Sequence, residues 1–322
     1  MVHHCGAKLD LERIAKMILG KDDDKDRTFL AQIISSPYDA DKLDYIARDS
    51  YYCGLALTVD LARFYGMIST VQHGGERILV LRNYVPLEQI LFSKMTLFGS
   101  VYHHQKVKCL DSMLRSLVQH IVENADQCVM DIRGARITFA DPVQYLYTTD
   151  DEFLNQFNGF GDEYTKKMLT RLRQRDLFVR CVEISRRTVN NWADHARLKH
   201  VKLATDPDKL NDIEKDIHKR LPPAVRGRSN VGDVRLSVPR LPSLSNDFAF
   251  VQTAPSGPVE KIEEFFPVGQ WVDAYTHNKW RSYVYAPREL AEAVRDAAIE
   301  SLKDRVALKI DVTKSNRACH LT

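Results

Sequence analysis

Ser35-Ser36-Pro37-Tyr38-Asp39-Ala40-Asp41-Lys42-Leu43-Asp44-Tyr45-Ile46-Ala47-Arg48-Asp49-Ser50-Tyr51-Tyr52-Cys53-Gly54 holds the densest run of chemically useful side chains in the sequence. Wound as a helix, it sets Asp41, Tyr45, Arg48 and Asp49 at i, i+4, i+7 and i+8, so a carboxylate, a phenol, a guanidinium and a second carboxylate share one face. Leu43, Ile46 and Ala47 then face a core. Ser35-Ser36-Pro37 supplies a cap and a proline suited to a first helical turn, and the helix should run to about Cys53. A hard divalent cation takes carboxylate oxygen and a phosphate takes an adjacent ammonium, so Asp41 followed by Lys42 suits both at one helix start. The competing reading is a solvated helix laced with i, i+4 ion pairs, each of small energetic value.

Outward from this segment the pattern is mostly helical. Residues 8–19 carry an apolar stripe that stops at Gly20, and residues 55–72 again show helical spacing. His73-Gly74-Gly75 reads as a turn before a short strand at Ile78–Leu81. Residues 87–124 recur at three and four as one long helix or two, and Thr149–Asn155 and Glu163–Leu177 add shorter helices. Strand-like alternation begins at Phe178–Ile184 and returns at Val234–Val238, 248–252 and 282–285, with helices at Asp208–Leu221 and Pro287–Asp304. The expected fold is mainly α, with a helical block over residues 1–177 and a smaller α+β C-terminal region over residues 178–322.

The chain has 322 residues, 44% hydrophobic and 28% charged, a globular composition that excludes collagen-like, low-complexity and largely disordered classes. Lys+Arg 46 against Asp+Glu 43 leaves +3, too near neutral for wholesale wrapping of nucleic acid or binding to a membrane surface. A basic partner site must be local. The stretch 166–187 offers one, with Lys166, Lys167, Arg171, Arg173, Arg175, Arg180, Arg186 and Arg187 against Asp176 and Glu183. It is a candidate contact for nucleic acid or nucleotide phosphates, against the plainer reading of a solvated helix face followed by a strand. No apolar run reaches the roughly 18–20 residues of a membrane span, and the charged first thirty residues do not read as a secretory signal. The six cysteines are scattered without a CxxC pair, so a reduced, cytoplasmic setting is expected.

Residues 33–54 closely resemble a segment of the HD-domain phosphohydrolases, among them the dNTP triphosphohydrolases of the SAM-and-HD-domain and bacterial dGTPase-like kinds. Val101-Tyr102-His103-His104 resembles a helix downstream in the same family, and Asn278-Lys279-Trp280-Arg281-Ser282-Tyr283-Val284-Tyr285-Ala286-Pro287 resembles a region near its C-terminus. The resemblance implies an HD-type helical core and metal-dependent hydrolysis of a deoxynucleoside triphosphate to deoxynucleoside and triphosphate. It implies Asp41 as a metal ligand and catalytic residue, Lys42 as a phosphate contact, and Tyr45, Asp49 and Tyr102 as sugar contacts, Tyr102 packing against C2′. His103 and His104 are implied as base or sugar contacts. It also implies a divalent metal ion and a homo-oligomer.

The family's first metal histidine and its His-Asp doublet have no counterpart in this chain, which contains no His-Asp dipeptide, so three of the four expected metal ligands are not found. His3 and His4 read as terminal residues rather than replacements. Lys94 and Phe98 stand where an Arg and a His are expected. The core is thus expected to be N-terminally incomplete and the isolated chain inactive, since one aspartate does not hold a catalytic divalent ion tightly. The alternative function is a non-catalytic nucleotide- or nucleic-acid-binding or assembly module of the same family.

Overall fold

The computed structural model describes residues 10–57, 59–132, 134–138, 141–156, 162–192, 202–240 and 249–319. His3 and His4 lie outside them. In chain order the helices and strands are α1 (Leu11–Ile18), α2 (Thr28–Ile34), α3 (Ala40–Tyr52), α4 (Leu61–Met67), β1 (Ile68–His73), β2 (Glu76–Leu81), α5 (Val85–Leu97) and, after a π-helical turn at Phe98–Tyr102, α6 (Gln105–Glu123). There follow β3 (Val129–Ile132), β4 (Ala135–Thr138), α7 (Asp150–Gln156), α8 (Glu163–Gln174), β5 (Val179–Ile184), α9 (Pro207–Arg220), α10 (Pro223–Arg226) and β6 (Arg235–Ser237). The last part holds β7 (Phe250–Val251), β8 (Glu260–Lys261), α11 (Val268–Lys279), β9 (Ser282–Ala286), α12 (Ala291–Val306) and α13 (Val312–Cys319). The fold is mainly α with small sheets, as its spacing predicts.

Two compact units divide the chain, Met1–Tyr102 with Pro242–His277, and His103–Leu241 with Asn278–Thr322. In the first, strands run in the order β1-β2-β7-β8, with β1 and β2 antiparallel and β2 parallel to β7 through Leu81 and Val251. Lying between two strands, β2 buries four successive residues, Ile78 to Leu81, instead of alternating. Gly74 and Gly75 close the β1–β2 hairpin at φ +59° and +82°, and a two-residue turn with both central φ positive suits glycine. The helical spacing read over residues 55–72 is corrected here. Only Leu61–Met67 is helical, and the β-branched run from Ile68 pairs with β2 instead.

In the second unit β9 is the middle strand of an antiparallel sheet ordered β5-β9-β6. All five of its residues are buried. Val284 and Ala286 belong to one core with Val294, Ala298 and Leu302 of α12, whereas Tyr283 and Tyr285 belong to another with Met113, Leu117 and Ile121 of α6 and Leu169 of α8. The period-two alternation of a strand thus feeds two cores at once. Because α6 and α8 pack on β9, the boundary read at residue 177 falls inside this unit. The apolar period over 87–124 resolves into α5 and α6, and the β3–β4 hairpin is an element the periodicity does not announce.

Leu81 is fully buried against both neighbouring strands of its sheet. Leu81→Ala is expected to lower stability by about 2–5 kcal/mol in urea unfolding, while Arg48→Ala, which removes only an exposed ion pair with Asp44, leaves the midpoint unchanged.

Candidate functional site

The helix that carries the candidate residues starts one turn later than Ser35-Ser36-Pro37 predicts. Asp39 is the cap: its Oδ1 accepts the Lys42 backbone N–H at 2.9 Å, Oδ2 accepts the Ser36 N–H at 3.3 Å, and Lys42 Nζ pairs with the same Oδ2. A carboxylate two positions past the proline reaches the third helical N–H, whereas the Ser36 hydroxyl is used on the Tyr38 N–H at 3.3 Å. Tyr38, buried, packs edge-on against Phe64 with ring centroids 5.7 Å apart and anchors this start.

Along α3, Leu43, Ile46 and Ser50 enter the core and Asp41 stands exposed in the first turn. Arg48 departs from the shared face read for it. Its guanidinium closes on Asp44 at 3.0 and 2.9 Å, the i−4 partner, so the face keeps Asp41, Tyr45 and Asp49.

Tyr102 reaches that face from the π-helical turn, and its hydroxyl donates to Asp49 Oδ2 across 53 residues of sequence. Its ring stands edge-on between Tyr45, at 6.2 Å, and Phe98, at 5.2 Å. A π turn widens the helix by one residue and is a common way to re-aim a functional side chain. The turn is held by close approach at Gly99, where a Cβ would lie 2.8 Å from the Tyr275 hydroxyl. Burial, followed by the charges of Asp41, Asp39 and Asp49, pushes the Tyr45 phenol up to about 12. Burial and the bond to Asp49 also raise Tyr102, so both rings stay neutral at pH 7.

Lys94 of α5 is 5% exposed, with its Nζ 5.9 Å from the centre of the Phe98 ring. Burial first, then the neighbouring Lys42, lowers it to about 8, against the pull of Asp39. The Asp39 carboxylate at the start of α3 thus pairs with Lys42 and also acts electrostatically on the buried Lys94. Lys42 also lines a cavity of about 790 Å³ together with Lys21, Gln32, Ser36 and His73.

His104 caps α6, its Nδ1 accepting the Lys106 N–H at 3.3 Å, and is exposed. His103 is half-buried, and burial together with Lys108 lowers it to about 4, leaving it neutral. Both open the second unit, whereas Tyr102 closes the first segment of the other. In the basic stretch, Arg171 is spent on Asp176 and Glu289 at 3.3 and 2.9 Å, and Arg173 on the Leu154 carbonyl.

The donor set does not fit a complete metal centre. Among the described residues no three or more His, Cys, Asp or Glu side chains are grouped to hold an ion, and Asp41 stands without the partners a divalent cation needs. No helix of the described residues is long and apolar enough to cross a membrane. Asp39 as cap and lysine partner was legible as an acid three residues before Lys42, and the burial of Lys94 had no local signal.

Residues 59–311 match the model of the HD associated region, and the chain belongs to that family. The matched span includes α5 and Tyr102 and begins after α3. The chain is 22% identical over 284 residues to an uncharacterised protein of Methanocaldococcus jannaschii, covering 87% of this chain and 56% of that one. It is 24% identical over 219 residues to the deoxynucleoside triphosphate triphosphohydrolase SAMHD1 homolog of Dictyostelium discoideum, covering 65% of this chain and 39% of that one. It thus spans about half, or less, of the length of these curated relatives.

The Lys94 ammonium should titrate near pH 8 when followed by NMR of its side chain. An unfolded lysine holds its proton to about 10.4, so between the two values the unfolded chain binds more protons and the folded state gains stability as pH rises. Wild type is expected to gain on Lys94→Met across that window, and a pH-independent difference would contradict the assignment.

Proposed function

We propose that the face formed by Asp41, Lys42, Tyr45, Asp49 and Tyr102 is the deoxynucleotide-binding part of an HD-type phosphohydrolase, acting on a deoxynucleoside triphosphate to release deoxynucleoside and triphosphate. The observation that carries the reading is the Tyr102 hydroxyl on Asp49 beside the Tyr45 ring, in a chain of the HD associated region family with a triphosphohydrolase homolog among its relatives. In this reading Lys42 takes the phosphates, with Lys94 adding a second positive charge behind it. Tyr45 and Asp49 hold the sugar, Asp49 accepting from the 3′-hydroxyl, and the Tyr102 ring fills the space beside C2′ that a ribose hydroxyl would need. His103 and His104 are proposed base or sugar contacts, Asp41 a metal ligand, and the assembly a cytoplasmic homo-oligomer.

A second reading rests on the donor set. The described residues present Asp41 without grouped metal partners, which favours a nucleotide-binding module without turnover by this chain alone. Each reading has its own readout.

Calorimetric titration with dATP and dGTP is expected to show binding that Lys42→Ala weakens by about tenfold or more, and Tyr102→Ala should narrow the gap between dATP and ATP. Release of triphosphate with added manganese, lost in Asp41→Asn, selects the hydrolase; binding without release selects the module. Absence of nucleotide binding, or binding indifferent to Lys42 and Tyr102, would reject both.

A further inference from the structure

The second unit buries a charge that the described residues leave half met. Arg235, the first residue of β6, is 2% exposed. Its Nη1 donates to Glu214 Oε2 at 3.0 Å, while its Nε and Nη2 have no hydrogen-bond partner among the described residues. Those two nitrogens form one edge of the guanidinium, with parallel N–H bonds spaced to meet the two oxygens of a carboxylate or phosphate.

Glu214 of α9 is shared among three donors and meets Arg235 through Nη1, not through that edge. It accepts from Arg115 Nη2 at 2.7 Å and from the Leu236 backbone N–H at 2.7 Å in addition to Arg235, and its side chain is 1% exposed. Arg115 Nε is also unpartnered among the described residues. Two guanidinium groups therefore share one carboxylate; Arg115 is 38% exposed and reaches water, whereas Arg235 is sealed, and leaving its remaining edge unmet is costly unless an anion meets it. The same burial lowers the basicity of Arg235.

Space is present beside it. Arg235 lines a cavity of about 480 Å³ with Ser116, His120, Tyr164 and Asn211, and with Lys215 and Glu123 of opposite sign. One wall is rigidly built: Ser116 Oγ lies 3.0 Å from the Tyr164 hydroxyl and donates to the Gly232 carbonyl at 2.9 Å. A Cβ at Gly232 would fall 2.2 Å from that Tyr164 oxygen, so only glycine permits the contact.

We propose that this cavity binds a small oxoanion, the phosphate or carboxylate group of a small metabolite, whose paired oxygens sit on the Nε and Nη2 edge of Arg235. The site lies wholly within the second unit and does not depend on the nucleotide reading of the first. The hydroxyl and amide groups around it, from Ser116, Tyr164 and Asn211, suit the polar remainder of such a ligand.

The test is the Arg235 Nε–H resonance of the full chain, followed by NMR as inorganic phosphate and, separately, acetate are added. A saturable shift is expected with at least one of them, and which one names the group. Arg235→Lys keeps a charge beside Glu214 but removes the edge, and should weaken binding about tenfold or more. Should that variant fail to fold, Asn211→Phe fills the cavity from a half-exposed position on α9 and should abolish the shift while the Glu214 contacts persist. No shift with either anion, a shift that only follows ionic strength, or one unchanged in the folded variants would overturn the proposal. So would a crystal grown in phosphate that holds ordered water alone at the edge.

Discussion

A charge taken out of water must be met by another charge or by aimed hydrogen bonds, and each compact unit is arranged around one place where that constraint is strict. In the first unit it is the Asp39 carboxylate, which accepts the Lys42 backbone N–H in the first turn of α3 and at the same time pairs with the Lys42 ammonium. Lys94 is buried, and burial together with the charge of Lys42 holds its ammonium at a lowered pKa. In the second unit Glu214 ties α9 to α6 through Arg115 and to β6 through Arg235. The Glu214 cluster joins segments far apart in sequence, whereas the Asp39–Lys42 pair is local to the start of α3.

Around these clusters the apolar packing does the larger energetic part. The β2 and β9 strands have the same logic: a strand flanked on both sides loses its polar face, and its residues are buried without interruption. In β9 the two tyrosines and the intervening valine go to different cores, which lets one strand hold α6 and α8 on one side and α12 on the other. Trp280, just before β9, lies in the core that holds Val284 and donates its indole N–H to the Pro239 carbonyl at 2.9 Å.

The candidate site shows how far a local pattern reaches. The amphipathic spacing of Asp41, Tyr45 and Asp49 against Leu43 and Ile46 was legible because a helix translates a spacing of three and four into one face. Arg48 shared that spacing and still turned away, because Asp44 at i−4 offered a nearer partner. The helix start moved from Ser36 to Asp39 for a related reason, since several acceptors competed and only the folded turn shows which reaches the third N–H. At Ile68 the β-branched run prevailed over helical spacing once a partner strand was present.

The sequence by itself determined the mainly helical character and the glycine hairpin. These are properties of neighbouring residues, set by backbone geometry and side-chain period. Tertiary structure alone decided that Tyr102 meets Asp49, that Lys94 is buried within range of the Lys42 charge, and that Arg115 and Arg235 share the buried Glu214 and leave one edge of Arg235 unpaired among the described residues. Such contacts depend on the closure of long chain loops and on the burial that follows, and neither leaves a periodic trace in the sequence.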